Sequence, residues 1–311
     1  MQRVFVGILR RAVSMPDTSI RQSWAHDEDS RDVQARLGKG NTVPTPTGNV
    51  FTHFCRVAEE HEQRVAVSTP DEVVTYGELR RRVEAIRVHL AANGVGAGDR
   101  LGVALAPSAD FPATLLALMA MGAVYVPIYA MNPPGRIATI IENAAVQRVI
   151  CDATTAGVAP ALEFRLPADL SDATDDAEAV PGGDTVAYLM YTLGSTGTPK
   201  GVLISHDSIL GFIQNIRTLF ERTPQDRFLG YASCGFDVSV FEVFGALLTG
   251  ASLHLVPSAM RLDMVGVQRF LEDRRITVTD PPPSVMKLLD PAPLGDGQWS
   301  TELEFVMSVS R

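Results

Sequence analysis

Between Phe111 and Gly135 the chain carries no charged side chain. A run of that length reaches across a bilayer if it forms one helix. Pro112, Gly122, Pro127, Pro133 and Pro134 stand inside it, and proline in a helix interior removes a donor and clashes with the preceding turn. One continuous span does not fit. The reading that remains is a buried helix up to Met121, then a buried strand from Val124 to Ile128. A strand apolar on both faces belongs in a parallel sheet covered by helices.

The same alternation continues on both sides. Strands are expected at Leu101 to Leu105, Arg148 to Cys151, Val186 to Tyr191, Arg227 to Ala232, Leu253 to Val256, Ile276 to Thr279 and Leu303 to Val306. Helices are expected around Arg136 to Ala145, Asp207 to Phe220, Gly235 to Leu248, Met264 to Asp273 and Pro282 to Leu289, the last with proline in its first turn. This order predicts an α/β chain of helix-covered, mainly parallel sheets. An earlier helix opens on a capping box, Thr75 with Glu78. Leu79, Val83, Ile86 and Leu90 line its inner face, and Gly94 ends it. Gly94, Gly96 and Gly98 follow a helix, so they form a turn and no dinucleotide fingerprint. Residues 1–47 read as a short amphipathic helix and a linker, and residues 48–311 as the globular part. Ala153 to Asp184 is an acidic, poorly periodic connector.

Composition narrows the function classes. The chain has 311 residues, 46% hydrophobic, enough for about two domains. A net charge of −9 argues against nucleic acid. Cys55, Cys151 and Cys234 are far apart and make no disulfide framework, which suits a reduced, cytoplasmic compartment. His61-Glu62 starts like a zinc motif, but Val65 stands where its second histidine is required. The apolar core of Met1 to Leu9 is too short for a secretory leader. No membrane partner is expected.

The most informative loop follows the strand Val186 to Tyr191. It reads Tyr191-Thr192-Leu193-Gly194-Ser195-Thr196-Gly197-Thr198-Pro199-Lys200-Gly201. Glycines let a backbone turn tightly and approach a ligand. Successive N–H groups in such a turn form an anion-binding hollow. Hydroxyls at Ser195, Thr196 and Thr198 and the cation of Lys200 suit nucleotide phosphates. A plain Gly/Ser/Thr surface loop is the alternative. The P-loop of kinases and ATPases fails on spacing, because Pro199 stands five residues after Gly194 and Gly201 follows Lys200.

This window resembles the phosphate-binding signature of adenylate-forming enzymes, usually Tyr-Thr-Ser-Gly-Ser-Thr-Gly-x-Pro-Lys-Gly. It is most similar to that of the adenylation domains of nonribosomal peptide synthetases. Leu193 departs from the usual serine. Val74-Thr75-Tyr76-Gly77-Glu78-Leu79 and Met121-Gly122-Ala123-Val124-Tyr125-Val126-Pro127 resemble two further motifs of that family. Phe236-Asp237-Val238-Ser239 resembles its Phe-Asp-x-Ser motif.

The resemblance implies roles. Thr192, Gly194, Ser195, Thr196, Gly197, Thr198 and Lys200 would hold the ATP phosphates, with Mg2+ alongside. Asp237 would bind the α-ammonium of an amino-acid substrate through a charge-assisted hydrogen bond. Read from the residues alone, Asp237 is equally a helix N-cap. Val238, Phe241 and Asp280 would line the side-chain pocket, with Asp280 favouring a polar or basic group. The alternative for Asp280 is a loop residue before Pro281. A carrier-protein domain or other synthetase domains are the implied partners. The family's magnesium glutamate, ribose aspartate and catalytic lysine match nothing in these 311 residues. The expectation is therefore a C-terminally truncated domain, weak or inactive alone, with an unpaired edge on its second sheet. A non-catalytic nucleotide-binding remnant and an acyl-CoA or aryl-acid ligase stay open beside it.

Overall fold

The computed structural model describes residues 46–166, 181–192 and 199–282, with Pro44, Val285 and the pair Glu304–Phe305. It divides into two units, Met1–Pro44 and Thr45–Arg311, and all that follows concerns the second. The expected helix in the N-terminal segment lies outside the described residues. So does the helix expected at Pro282 to Leu289, apart from Pro282, which is not helical, and Val285, which is.

Two six-stranded sheets organise the unit. The first has the order β6-β5-β3-β4-β7-β8: Glu163–Arg165, Arg148–Cys151, Arg100–Ala104, Val124–Pro127, Val186–Thr192 and Lys200–Ser205. The second has the order β12-β11-β9-β10-β1-β2: Glu304–Phe305, Val278–Thr279, Arg227–Gly230, Ser252–Leu255, Val65–Ser68 and Val73–Thr75. All neighbours run parallel except β1–β2 and β7–β8, so each sheet carries one antiparallel edge strand. The helices are α1 (Val50–Glu60), α2 (Tyr76–Ala92), α3 (Asp110–Met121), α4 (Pro134–Ala144), α5 (His206–Leu219), α6 (Val238–Leu247) and α7 (Met264–Asp273).

Side-chain alternation along the strands explains the layering. Tyr125 of β4 and Phe228 of β9 enter one large core together with α1, α2, α3, α5 and α6. Their neighbours point the other way. Val124 and Val126 pack with Ile137 and Ile140 of α4, and Leu229 packs with Val267, Phe270 and Leu271 of α7. The inner helices thus lie between the sheets, while α4 and α7 cover the outer faces. A helix enclosed on all sides is apolar all round, which accounts for the chargeless run. Within it, α3 ends on Gly122 at φ 69°, a left-handed cap that glycine adopts without strain. Among the described residues no helix is long and apolar enough to cross a membrane.

The expected capping box is present, with Thr75 and Glu78 each accepting the other's backbone N–H. Leu79, Val83, Ile86 and Leu90 are fully buried. Some elements differ from expectation. The strands β1 and β2 were not expected. The acidic connector holds β6, which pairs beside β5. Helix α5 starts at His206 with Ser205 as its cap. Asp207 instead accepts the Gly48 N–H at 2.9 Å.

Candidate functional site

Strands β7 and β8 form an antiparallel pair in which Thr192 stands opposite Lys200. Of the candidate phosphate residues, Thr192 and Lys200 therefore lie at the paired ends of these two strands. Thr192 and Lys200 are both exposed, and Thr192 Oγ1 donates to the Lys200 carbonyl at 3.5 Å. A lysine and a threonine thus occupy paired positions at the strand ends. Gly201 faces Tyr191, whose ring would lie 3.2 Å from a Cβ at that position. Glycine is what lets the aromatic ring cover β8 there. Gly194, Ser195, Thr196, Gly197 and Thr198, with Leu193, lie outside the described residues.

The second component is the start of α6. Asp237 is its N-cap, and Oδ1 accepts the Val238 N–H at 3.0 Å. The carboxylate remains exposed, so capping occupies one oxygen lone pair and leaves the rest of the group facing outward. Ser239 Oγ donates to the Phe236 carbonyl at 2.6 Å.

These elements meet at an open cavity of about 400 Å³. Asp237, Val238 and Phe241 line one wall, and Asp280, at the end of β11, lines another. All four substrate-side residues named from the sequence thus share one cavity. Sequence reading missed the opposite wall: Tyr188 of β7, Ile204 of β8, and Ser208, Ile209, Phe212 and Ile216 of α5. The available signal was the i, i+4, i+8 spacing of Ser208, Phe212 and Ile216, which puts them on one helix face. Phe212 is 45% exposed.

The electrostatics are set by burial. Burial pushes the Tyr188 hydroxyl up to about 12, and the Asp237 carboxylate adds to the shift. Tyr188 therefore keeps its proton at neutral pH. Asp280 is only 7% exposed. The charged groups on the cavity wall are carboxylates, joined by Ser208, a phenol and apolar side chains. Such a lining favours a cationic group on a largely apolar ligand.

A second cavity, of about 300 Å³, lies across α6. It opens at the carboxyl ends of β3, β4, β9 and β10, where Ala104, Ile128, Ala232 and Leu255 line it. Ser239, Glu242 and Val243 face it from α6. Helix α6 is thus the partition between the two spaces.

Comparison with known proteins bears on this arrangement. The family model described as "AMP-binding enzyme" matches residues 54–310. Surfactin synthase subunit 1 of Bacillus subtilis (strain 168) is 32% identical over 264 residues, 81% of this chain and 7% of that protein. The L-proline--[L-prolyl-carrier protein] ligase of Streptomyces coelicolor is 32% identical over 80% of this chain and 51% of its own length. Among solved structures, the Klebsiella oxytoca NpsA N-terminal subdomain in complex with 3-hydroxybenzoyl-AMSN superposes with a TM-score of 0.72 at 26% identity. That match covers 80% of this chain and 63% of that one. The AMPPNP-bound form of the nonribosomal peptide synthetase FmoA3 (S1046A) superposes at 0.78 with 27% identity, covering 97% of this chain and 33% of that one. The chain matches the N-terminal part of the adenylation domain and a small fraction of the multidomain relatives.

Proposed function

The chain belongs to the AMP-binding enzyme family, and from that premise we propose that it forms the amino-acid- and phosphate-binding part of a nonribosomal peptide synthetase adenylation domain. The observation that carries this reading is the convergence of Asp237, Val238, Phe241 and Asp280 on one cavity, with Thr192 and Lys200 paired at the ends of the neighbouring strands.

ATP, which membership of the family implies, supplies an electrophilic α-phosphorus and a pyrophosphate leaving group. The residues at the strand ends fit an anion, because paired positions carry the lysine and the hydroxyl of Lys200 and Thr192. These two, with Gly194, Ser195, Thr196, Gly197 and Thr198, hold the phosphates in our reading. Asp237 accepts hydrogen bonds from the substrate ammonium and so aims the substrate carboxylate, which is mainly a matter of positioning. Val238 and Phe241 pack on the side chain, and Asp280 takes a polar or basic group at its end. Among the described residues no three His, Cys, Asp or Glu side chains gather, and none of them is assigned to Mg2+. A carrier-protein domain is the proposed acceptor of the activated acid, and the proposed boundary of the adenylating part is residue 48. Because the chain spans 63% of the NpsA subdomain it matches, we propose weak ATP–pyrophosphate exchange from it alone.

A second reading, an aryl-acid substrate, draws on the ring-rich walls formed by Tyr188, Phe212 and Phe241. One experiment separates the two. Sulfamoyladenosine analogues of the amino acids and of aryl acids are titrated against the 311-residue chain by thermal shift. Stabilisation by an aminoacyl analogue, lost in Asp237→Asn, is the expected result. Stabilisation by aryl analogues alone, indifferent to Asp237, establishes the second reading, and no stabilisation by any analogue overturns both.

A further inference from the structure

Two α6 side chains that face away from the substrate cavity brace the turn that carries Asp237. Glu242 is buried, 3% exposed. Its Oε1 accepts the main-chain N–H of Tyr231 at 3.1 Å and of Ala232 at 3.0 Å, and Oε2 accepts Ala232 N–H at 3.0 Å. These bonds tie the chain just after β9 to the second turn of α6. Ser239 supplies the second brace, its hydroxyl donating to the Phe236 carbonyl at 2.6 Å and its N–H bonding to the same oxygen at 3.0 Å. Residues 231–237 are thereby closed into a loop held at both ends, and Asp237 is its last residue.

The rest of the fold offers an internal control. At the β3–α3 crossing the half-buried carboxylates of Asp152 and Glu72 accept the Ala106 N–H at 2.6 Å and the Ala109 N–H at 3.1 Å, whereas helix α4 follows the parallel strand β4 with no side-chain hydrogen bond at its cap. Crossing from strand to helix therefore needs no buried carboxylate. A carboxyl group held in an apolar interior is costly unless its oxygens are hydrogen-bonded. This one spends its acceptors on two consecutive main-chain amides of a single turn, which fixes the turn's direction more than its existence. The shift of its proton affinity agrees with that placement. Burial pushes Glu242 up to about 8, opposed by the Ala232 and Tyr231 N–H groups and by Arg261, while Asp280 adds to the rise.

We propose that Glu242 is a positioning residue for substrate recognition, holding the β9–α6 turn so that the Asp237 carboxylate faces the cavity. The proposal rests on the reading of Asp237 as the ammonium partner, and its test separates the two. Amide hydrogen exchange is measured in the 311-residue chain, its Glu242→Met variant and its Glu242→Gln variant. Methionine keeps the bulk and removes both acceptors; glutamine keeps one. The N–H of Val240 bonds to the Asp237 carbonyl at 2.9 Å, so it reports that residue's place. In Glu242→Met, exchange rises about tenfold or more at Tyr231, Ala232, Ser239 and Val240, and the last turn of α6 is unchanged. Glu242→Gln gives an intermediate rise, and it decides the matter should the Met variant unfold. Faster exchange confined to Tyr231 and Ala232, with Val240 as in the wild type, overturns the proposal.

A binding arm then uses the aminoacyl-sulfamoyladenosine that stabilises the wild type. Asp237→Asn weakens it about tenfold or more, and Glu242→Gln/Asp237→Asn binds no more weakly than Asp237→Asn alone, because one residue acts through the other. Additive losses overturn the positioning role. An Asp237→Asn variant that binds normally, or a wild type that binds no analogue, overturns the ammonium reading, with the exchange result still deciding Glu242.

Discussion

Helix α6 carries two acidic side chains a little over one turn apart, and they stand in opposite surroundings. Asp237 sits at the helix start, exposed beside the 400 Å³ cavity, with one backbone hydrogen bond from Val238. Glu242 points to the other side, buried, with three hydrogen-bond contacts from two backbone amides. The first is shaped to meet something that is not part of the chain. The second is already satisfied by the chain itself. A helix N-terminus thus separates recognition from support by facing them into different spaces.

The largest effect expected from breaking this contrast is on stability. Glu242→Ala leaves the Tyr231 and Ala232 amides without acceptors in a buried space and costs about 3 kcal/mol. Asp237→Ala removes only a cap and costs about 1 kcal/mol. Urea unfolding of the two variants measures the difference, and equal losses would erase the distinction drawn here. Next comes ligand affinity. Asp280→Asn weakens the preferred aminoacyl analogue about tenfold if that analogue carries a basic side chain, read by the same thermal shift.

A smaller effect is expected in the pH dependence of melting. Folded Glu242 holds its proton up to about 8, whereas an unfolded glutamate releases it near 4.5. The folded state therefore binds more protons between these values, and stability falls as pH rises through that window. His206 and His254 act oppositely. Burial lowers them to about 4 and about 3, so the unfolded chain takes up their protons first and stability falls as pH drops below about 6.5. In the wild type the two slopes oppose each other over the acidic range they share. Glu242→Gln removes one of them, so its melting temperature should fall more steeply than that of the wild type as pH goes from 6.5 to 5. Parallel curves would show that Glu242 titrates normally. The smallest effect is Lys200→Ala, within about 0.5 kcal/mol of wild-type stability because the side chain is exposed, yet expected to weaken ATP binding.

Much of this site was legible before any coordinates. Phe236-Asp237-Val238-Ser239 announces a capped helix start, and the structure puts Asp237 at the N-cap of α6. The cavity's far wall was not legible, because Tyr188 and Ile204 come from β7 and β8 and read as ordinary strand residues. Glu242 was not singled out either. A single glutamate in an apolar helix shows no period, and its partners are backbone groups ten residues back, which no side-chain pattern reports.

The sequence by itself determined the element types and their alternation. Those follow from local chemistry: prolines that bar a long helix, a Thr75–Glu78 capping box, apolar runs whose length and period separate strand from helix. Only the tertiary structure decided which strands share a sheet and which two ends are antiparallel. It also decided that α6 divides two cavities, with Asp237 and Glu242 on opposite sides. Register and packing depend on contacts between residues more than a hundred positions apart, such as Val67 beside Leu253. No window of neighbouring residues contains the energy of such a contact.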